Sequence, residues 1–241
     1  PDHRSSRALA EILEHSPIPV VADIQFSAEL AIRSIEAGAA KVRINPGNIG
    51  GAEKVRRVAD AAKAARIPLR VGVNSGSVSE EVLARFGGAT PEALVESALD
   101  EVRVLERCGF EDIVIAIKAS DAPRTITSCR LLAERCDYPL HLGVTEAGPP
   151  RTGTVKSAYA LGVLLGEGIG DTLRVSLTTD PEEEVRTACR MMPAERPSTP
   201  PTRNRACAMP PLNGTACIRP PPGRPSAPRT NRRSPPRRAL P

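Results

Sequence analysis

The strongest constraint in this chain is a repeat that runs through residues 1–192. A short β-branched run is followed by a polar or glycine-bearing turn and then by an amphipathic helix. That alternation marks βα units around a parallel sheet, because parallel strands need a helical crossover to bring the chain back to the same end. Six runs carry it: PVVADI (19–24), KVRIN (41–45), PLRVGVN (68–74), DIVIAIK (112–118), PLHLGV (139–144) and TLRVSL (172–177). Between them, apolar residues fall at helical spacing. Leu9, Ile12 and Leu13 share a face, as do Val55, Val58, Ala59 and Ala62, and Val185, Ala188 and Met192. Thr90-Pro91 and Asp180-Pro181 each join a capping oxygen to a proline whose missing N–H costs nothing in a first turn, so each predicts a helix start.

Polar residues crowd the ends of these runs. Arg43 and Asn45 are two apart and share a strand face, Arg70 and Asn74 are four apart and do the same, and Arg174 and Ser176 repeat the first spacing. Lys118 closes the fourth run, and Thr145 and Glu146 follow the fifth. In a barrel such groups converge on one mouth, whereas in an open doubly wound sheet they gather mainly at one switch point. Five polar ends favour the barrel. The expected fold class is therefore α/β, a TIM-type (β/α) barrel lacking its first two strands, with two unpaired strand edges at the seam. The chain starts at Pro1 and runs directly into a helical pattern, from which a fragment of a longer protein is expected.

The charge divides unevenly along the chain. From Pro193 to Pro241 there are 14 Pro and 10 Arg in 49 residues, with no Lys and one acid, Glu195. That tail carries +9 of the net +5, and residues 1–192 carry −4. The basicity thus belongs to the tail, and nucleic-acid binding is not expected of the folded body. Two Tyr, three Phe and no Trp also leave little for a base-stacking platform. A segment so rich in Pro and Arg cannot continue helix or sheet, so the expected domains are 1–192, a substrate-binding partial barrel, and 193–241, a disordered tail. Its abrupt onset suggests a reading-frame shift in a G+C-rich gene. No apolar run approaches about 18 residues, which argues against a membrane span. The start lacks the pattern of a secretory signal, and a cytoplasmic location is expected.

Several chemistries fail on spacing. The six cysteines contain no C-x-x-C pair and are expected to be thiols, and no metal site is predicted. GEGIGD (166–171) precedes a strand where a dinucleotide fingerprint must follow one, and reads as a turn. In GPPRTGTVKS (148–157) two residues separate Gly153 from Lys156, which rules out a P-loop. That segment and PGNIGG (46–51) each follow a strand and lead into a helix, where backbone N–H groups favour anions, or serve simply as tight connections. His141, alone in a core strand, reads as a hydrogen-bonded structural residue, and no G-x-S-x-G elbow is present. What remains is a mouth of fixed cations, Arg43, Arg70, Lys118 and Arg174, with one carboxylate, Glu146, among amides and hydroxyls. Such a set suits a small phosphorylated ligand, because guanidinium forks take phosphate oxygens two at a time.

At these residues the chain closely resembles the 4-hydroxy-3-methylbut-2-enyl diphosphate synthase family. The runs PVVADIQF, KVRINPGNIG, LRVGVNSGS, IKASD, YPLHLGVTEAG and EGIGDTLRVSLTTDP occur in the family's order from about Pro17 to Pro181. The resemblance implies a barrel that binds 2-C-methyl-D-erythritol 2,4-cyclodiphosphate and a separate domain holding a four-iron four-sulfur cluster. It also implies reductive conversion to the linear hydroxymethylbutenyl diphosphate, flavodoxin or ferredoxin as electron donor, and a homodimer. Arg43, Asn45, Arg70, Asn74, Lys118, Arg174 and Ser176 fall where the family contacts the substrate, with Asp23 and Gln25 on the first run. Thr145 and Glu146 fall near the reacting carbon. The family's ADIHF is ADIQF here, so Gln25 replaces a histidine and loses an acid group. The family's cluster needs three cysteines and a glutamate beginning with C-x-x-C, whereas the tail offers Cys207 and Cys217, with nine residues between them. Inactivity of this chain by itself is expected. Two other readings are a non-catalytic or regulatory diphosphate binder whose basic tail meets acidic partners, and a barrel enzyme resembling dihydropteroate synthase, which would require affinity for pterin.

Overall fold

A computed structural model gives the fold, and it describes residues 3–192. The expected tail, with Cys207 and Cys217, lies outside the described residues. The elements run α1 (His3–His15), β1 (Val21–Asp23), α2 (Ala28–Glu36), β2 (Lys41–Ile44), α3 (Pro46–Ile49), α4 (Ala52–Ala65), β3 (Leu69–Asn74) and α5 (Glu80–Phe86). They continue with α6 (Pro91–Arg107), β4 (Ile113–Lys118), α7 (Ala122–Arg135), β5 (His141–Leu142), α8 (Pro150–Gly166), β6 (Thr172–Leu173) and α9 (Pro181–Met191).

All strand pairs are parallel and follow chain order. Strands β1 to β4 form one ladder, β5 pairs with β6, and a bridge between Ile115 and Leu140 joins the two. Among the described residues β1 and β6 are each paired on one side, which matches the expected open seam. The last two runs, expected as strands within 139–144 and 172–177, shorten to two residues each. Their backbones stay extended and bonded outside the ladder, through Thr145 N–H to Ala119 O at 3.0 Å and Ala147 N–H to Ser176 O at 3.2 Å.

Strand alternation sorts the side chains. Val42, Ile44, Leu69, Val71, Val73, Ile113, Ile115 and Ile117 point away from the barrel axis and form the core against the helices. Their partners there include Val55 and Val58 of α4, Leu94 and Leu105 of α6, Leu132 of α7 and Leu161 and Leu164 of α8. The opposite register holds Lys41, Arg43, Arg70, Gly72, Asn74, Ala116, Lys118 and His141. One apolar face and one polar interior explain why these strands read as mixed runs rather than as the continuous apolar stretches of strands buried on both faces.

Two helical faces differ from expectation. Leu9 and Leu13 pack on the core but Ile12 is exposed, because α1 rests on α2 and needs only a narrow i, i+4 stripe. In α9 the buried stripe is Thr187, Ala188 and Met191, while Val185 and Met192 face outward. That rotation is fixed by Glu184, whose Oε1 accepts the Leu177 N–H at 2.7 Å.

The caps divide in the same way. Thr90 Oγ1 accepts the Ala93 N–H at 3.2 Å and Asp121 Oδ1 accepts the Arg124 N–H at 2.8 Å, but the Asp180 side chain makes no capping bond. Thr90→Ala is therefore expected to cost about 1 kcal/mol and Asp180→Ala close to nothing, read from urea-unfolding midpoints. Equal losses would show that Asp180 caps α9 in solution.

Candidate active site

Six strand ends meet in a cavity of about 150 Å³. Asp23 and Gln25 reach it from β1 and the loop beyond, Arg43 from β2, Arg70 and Asn74 from β3, Lys118 from β4, Thr145 from the loop after β5 and Arg174 from just beyond β6. Because β1 and β6 stand at opposite ends of the strand order yet line one space, the sheet curls. Asn45, Glu146 and Ser176 are not among the lining residues. Ser176 lies next to the rim, where its carbonyl accepts the Ala147 N–H. Glu146 is exposed at the mouth, with φ at +50°, a left-handed conformation that a non-glycine residue adopts at a cost of about 1–2 kcal/mol.

The cations are arranged by register. Arg43 and Arg70 are direct partners across β2 and β3, as are Asn74 and Lys118 across β3 and β4. Like charges directly opposite repel, so the pairing is tolerable only where counter-charge is supplied. Arg43 finds part of it: Nη1 donates to Asp23 Oδ1 at 2.9 Å, and Nη2 donates to the Gly72 carbonyl at 3.2 Å. Arg174 Nη2 lies 3.9 Å from Glu184 Oε2. Burial, reinforced by Arg43 and Arg174, lowers Arg70 below the ordinary guanidinium value against the pull of Asp23. Lys118 falls to about 7, by burial first and then by Arg70, Arg174 and Arg43.

Below the mouth, His141 is buried with Nδ1 2.8 Å from Thr172 Oγ1, the hydrogen-bonded structural role its sequence position suggested. Burial, followed by Lys118, Arg70, Lys41 and Arg174, pushes it down to about 2, so the ring stays neutral and adds no charge. Asn74 Oδ1 accepts the Gly76 N–H at 2.9 Å and its own N–H meets Ser77 Oγ at 2.9 Å, which holds the β3–α5 turn under the cavity. GEGIGD is the turn it was expected to be, with Gly168 and Gly170 both at positive φ ahead of β6.

Two carboxylates escaped the sequence reading. Glu184 secures the chain after β6, and its signal was a place on the Thr187–Met191 stripe of α9. Glu101 of α6 is buried beside Asn45, and its signal was an acid interrupting the apolar stripe Leu94, Ala98, Val102 and Leu105. Asn45 stands there, in the wall of a second cavity of about 930 Å³ between α4, α5 and α6.

The thiols among the described residues do not fit an iron–sulfur cluster. Cys108 ends α6, Cys129 lies within α7, Cys136 follows it and Cys189 is exposed on α9. Burial raises Cys129 to about 12 and also raises Cys136, which disfavours the thiolates that iron needs. Among the described residues no three His, Cys, Asp or Glu side chains gather to hold a metal.

Comparison with known proteins agrees with the barrel reading. Solved dihydropteroate synthases share the fold: that of Xanthomonas albilineans matches 79% of this chain and 74% of its own at 14% identity and TM-score 0.50. The Yersinia pestis enzyme matches 77% and 76% at 11% identity and TM-score 0.50. Sequence relatives are much nearer. The 4-hydroxy-3-methylbut-2-en-1-yl diphosphate synthase (flavodoxin) of Caldanaerobacter subterraneus subsp. tengcongensis is 55% identical over 194 residues, 80% of this chain and 55% of that protein. The synthase of the same name from Geobacter sulfurreducens is 53% identical over the same shares. The chain thus spans about half the length of the curated relatives it matches. The GcpE TIM-barrel domain model covers residues 1–189, and the chain belongs to that family.

Proposed function

We propose that this barrel binds 2-C-methyl-D-erythritol 2,4-cyclodiphosphate and forms the substrate half of a synthase that converts it to 4-hydroxy-3-methylbut-2-enyl diphosphate. The observation that carries this is the charge of the cavity: Arg43, Arg70, Lys118 and Arg174 line it against one acid, Asp23. Four cations gathered around one cavity, Arg43, Arg70 and Lys118 half-buried and Arg174 exposed at its edge, repel unless an anion completes the set, and a diphosphate supplies several negative oxygens. The printed name of the relatives, with its flavodoxin donor, supports the redox class.

In this reading the guanidinium groups hold the phosphates while Asn74 and Gln25 orient the erythritol carbons. Ser176 acts at the rim, whereas Asn45, in the wall of the second cavity, supports the end of the strand that carries Arg43. Two electrons enter the substrate, the ring C–O bond to phosphate breaks, and a hydroxyl leaves with a proton as water. Glu146, exposed beside Thr145, is the proposed donor of that proton. The electrons would have to be supplied from outside the described residues, by a cluster held on another domain or another chain. Flavodoxin is the proposed donor, a homodimer the proposed assembly, and the cytoplasm the proposed compartment; no helix among the described residues is long and apolar enough to cross a membrane. Residues 1–192 are the proposed substrate domain and 193–241 a separate tail.

The test is anaerobic turnover after reconstitution with iron and sulfide, using reduced flavodoxin. The expected result is no product from this chain alone. Product should appear on adding a full-length relative whose barrel is disabled and whose cluster domain is intact. Calorimetric binding of the cyclodiphosphate without rescue under any partner would instead favour a non-catalytic diphosphate binder. Absence of binding would overturn the proposal.

A further inference from the structure

Glu101 is 8% exposed, in the middle of the apolar stripe of α6. Asn45 faces it from the β2–α3 turn and is 2% exposed. Asn45 occupies the N-cap position of α3, where an asparagine ordinarily spends its side-chain oxygen on a backbone N–H, yet it makes no capping bond. Its Oδ1 and Glu101 Oε2 are both buried without a hydrogen-bond partner among the described residues. Both side chains approach Gly47. A methyl group on Gly47 would sit 3.3 Å from Asn45 Oδ1 and 3.6 Å from Glu101 Oε1.

Two buried acceptors without donors, on side chains that both approach Gly47, repel, and one proton on the carboxyl converts that repulsion into an O–H···O bond. We infer that Glu101 is a positioning residue whose carboxyl O–H donates to Asn45 Oδ1, fixing the β2–α3 turn and with it the end of the strand that carries Arg43. Burial raises Glu101 to about 8, with Arg43 pulling the other way, so the proton is held through neutral pH. The other charged groups around this space are Glu53 and Arg56 of α4, Glu80 of α5 and Asp100 and Arg107 of α6 itself. Above that pH the bond is lost, and a new carboxylate competes for Arg43. The consequence at Arg43 rests on the diphosphate reading; the bond to Asn45 does not.

The experiment follows the full chain by NMR from about pH 6 to about pH 10, with carboxyl-labelled glutamate and the side-chain amide of Asn45 as probes. The Glu101 carboxyl and the Asn45 amide are expected to shift together with a midpoint near 8, and Glu101→Gln should remove both transitions. Wild-type affinity for the cyclodiphosphate should fall about tenfold above the midpoint, the size of one hydrogen bond. Glu101→Gln keeps an N–H donor in the same place and should retain the neutral-pH affinity with a flatter pH profile. The melting curve offers a check on the sign. Because the folded value lies above the unfolded 4.5, wild type loses stability as pH rises from 4.5 through 8, and Glu101→Gln should not. An Asn45 amide indifferent to the Glu101 titration, or a Glu101→Gln profile that keeps the wild-type slope, overturns the inference and leaves the slope to Lys118. If the cyclodiphosphate does not bind wild type, the functional reading falls while the amide titration still decides the Asn45 bond.

Discussion

Lys118→Met is expected to lower affinity for the cyclodiphosphate by up to about a hundredfold, the worth of a charge-assisted hydrogen bond, and to abolish most proton uptake on binding. Burial and three neighbouring arginines hold Lys118 down to about 7. A diphosphate reverses the balance of charge around the ammonium group, so its value must climb toward the ordinary 10.5. Near pH 8 the free protein therefore carries a largely neutral lysine and the complex a charged one, and nearly one proton enters with each ligand. Calorimetry in buffers of different ionisation enthalpy reads that number directly. The stability effect runs the other way. The unfolded chain binds more protons than the folded one between pH 7 and 10.5, so the penalty is complete below pH 7 and fades as pH rises. Lys118→Met should thus melt higher than wild type at pH 6 without ligand, while binding worse, as expected where a site is built at the expense of stability. Unchanged proton uptake in the variant would assign it to another group, and unchanged affinity would remove Lys118 from the phosphate site.

How much of this was legible in the sequence depends on how local the cause is. Val55, Val58, Ala59 and Ala62 are buried as their spacing demands, because α4 lies along the sheet and its whole stripe is used. The inward register of Arg43, Arg70 and Lys118 follows from the two-residue strand period, so the ring of cations could be read before the barrel was seen. Asn45 could not. It shares that period with Arg43, but β2 ends at Ile44, and one residue beyond the ladder the alternation no longer fixes which way a side chain points. The same limit applies to Ser176, past the end of β6, and to Glu146, whose positive φ re-aims it. Asp180 precedes a proline as a good cap should, yet its side chain accepts none of the first-turn N–H groups of α9. Glu101 shows the reverse failure: its spacing put it in the core, and only the bias that acids stay on the surface hid it.

Two glycines in the inward register separate binding from folding, and their alanine variants are expected to fail in different ways. At Gly72 of β3 an added Cβ would lie 2.7 Å from Arg43 Nη2 and 2.9 Å from its Cζ. The obstacle is the far end of a flexible side chain, so the strand can keep its place while the guanidinium swings away. Gly72→Ala should then unfold within about 1 kcal/mol of wild type in urea, yet bind the cyclodiphosphate about ten- to a hundredfold more weakly, since Arg43 loses its hold on Asp23 and on the Gly72 carbonyl together. At Gly143, just past β5, the added Cβ would lie 2.7 Å from the Arg174 carbonyl oxygen and 3.4 Å from Lys118 Cε. A carbonyl fixed in the chain cannot swing, so β5 and β6 must part, at a cost of about 1–3 kcal/mol or more. Gly143→Ala should lower the unfolding midpoint clearly, and any binding loss should be accompanied by that loss of stability. Normal binding by Gly72→Ala would show that Arg43 is not a phosphate contact. Wild-type stability in Gly143→Ala would show that the last strand pair yields freely.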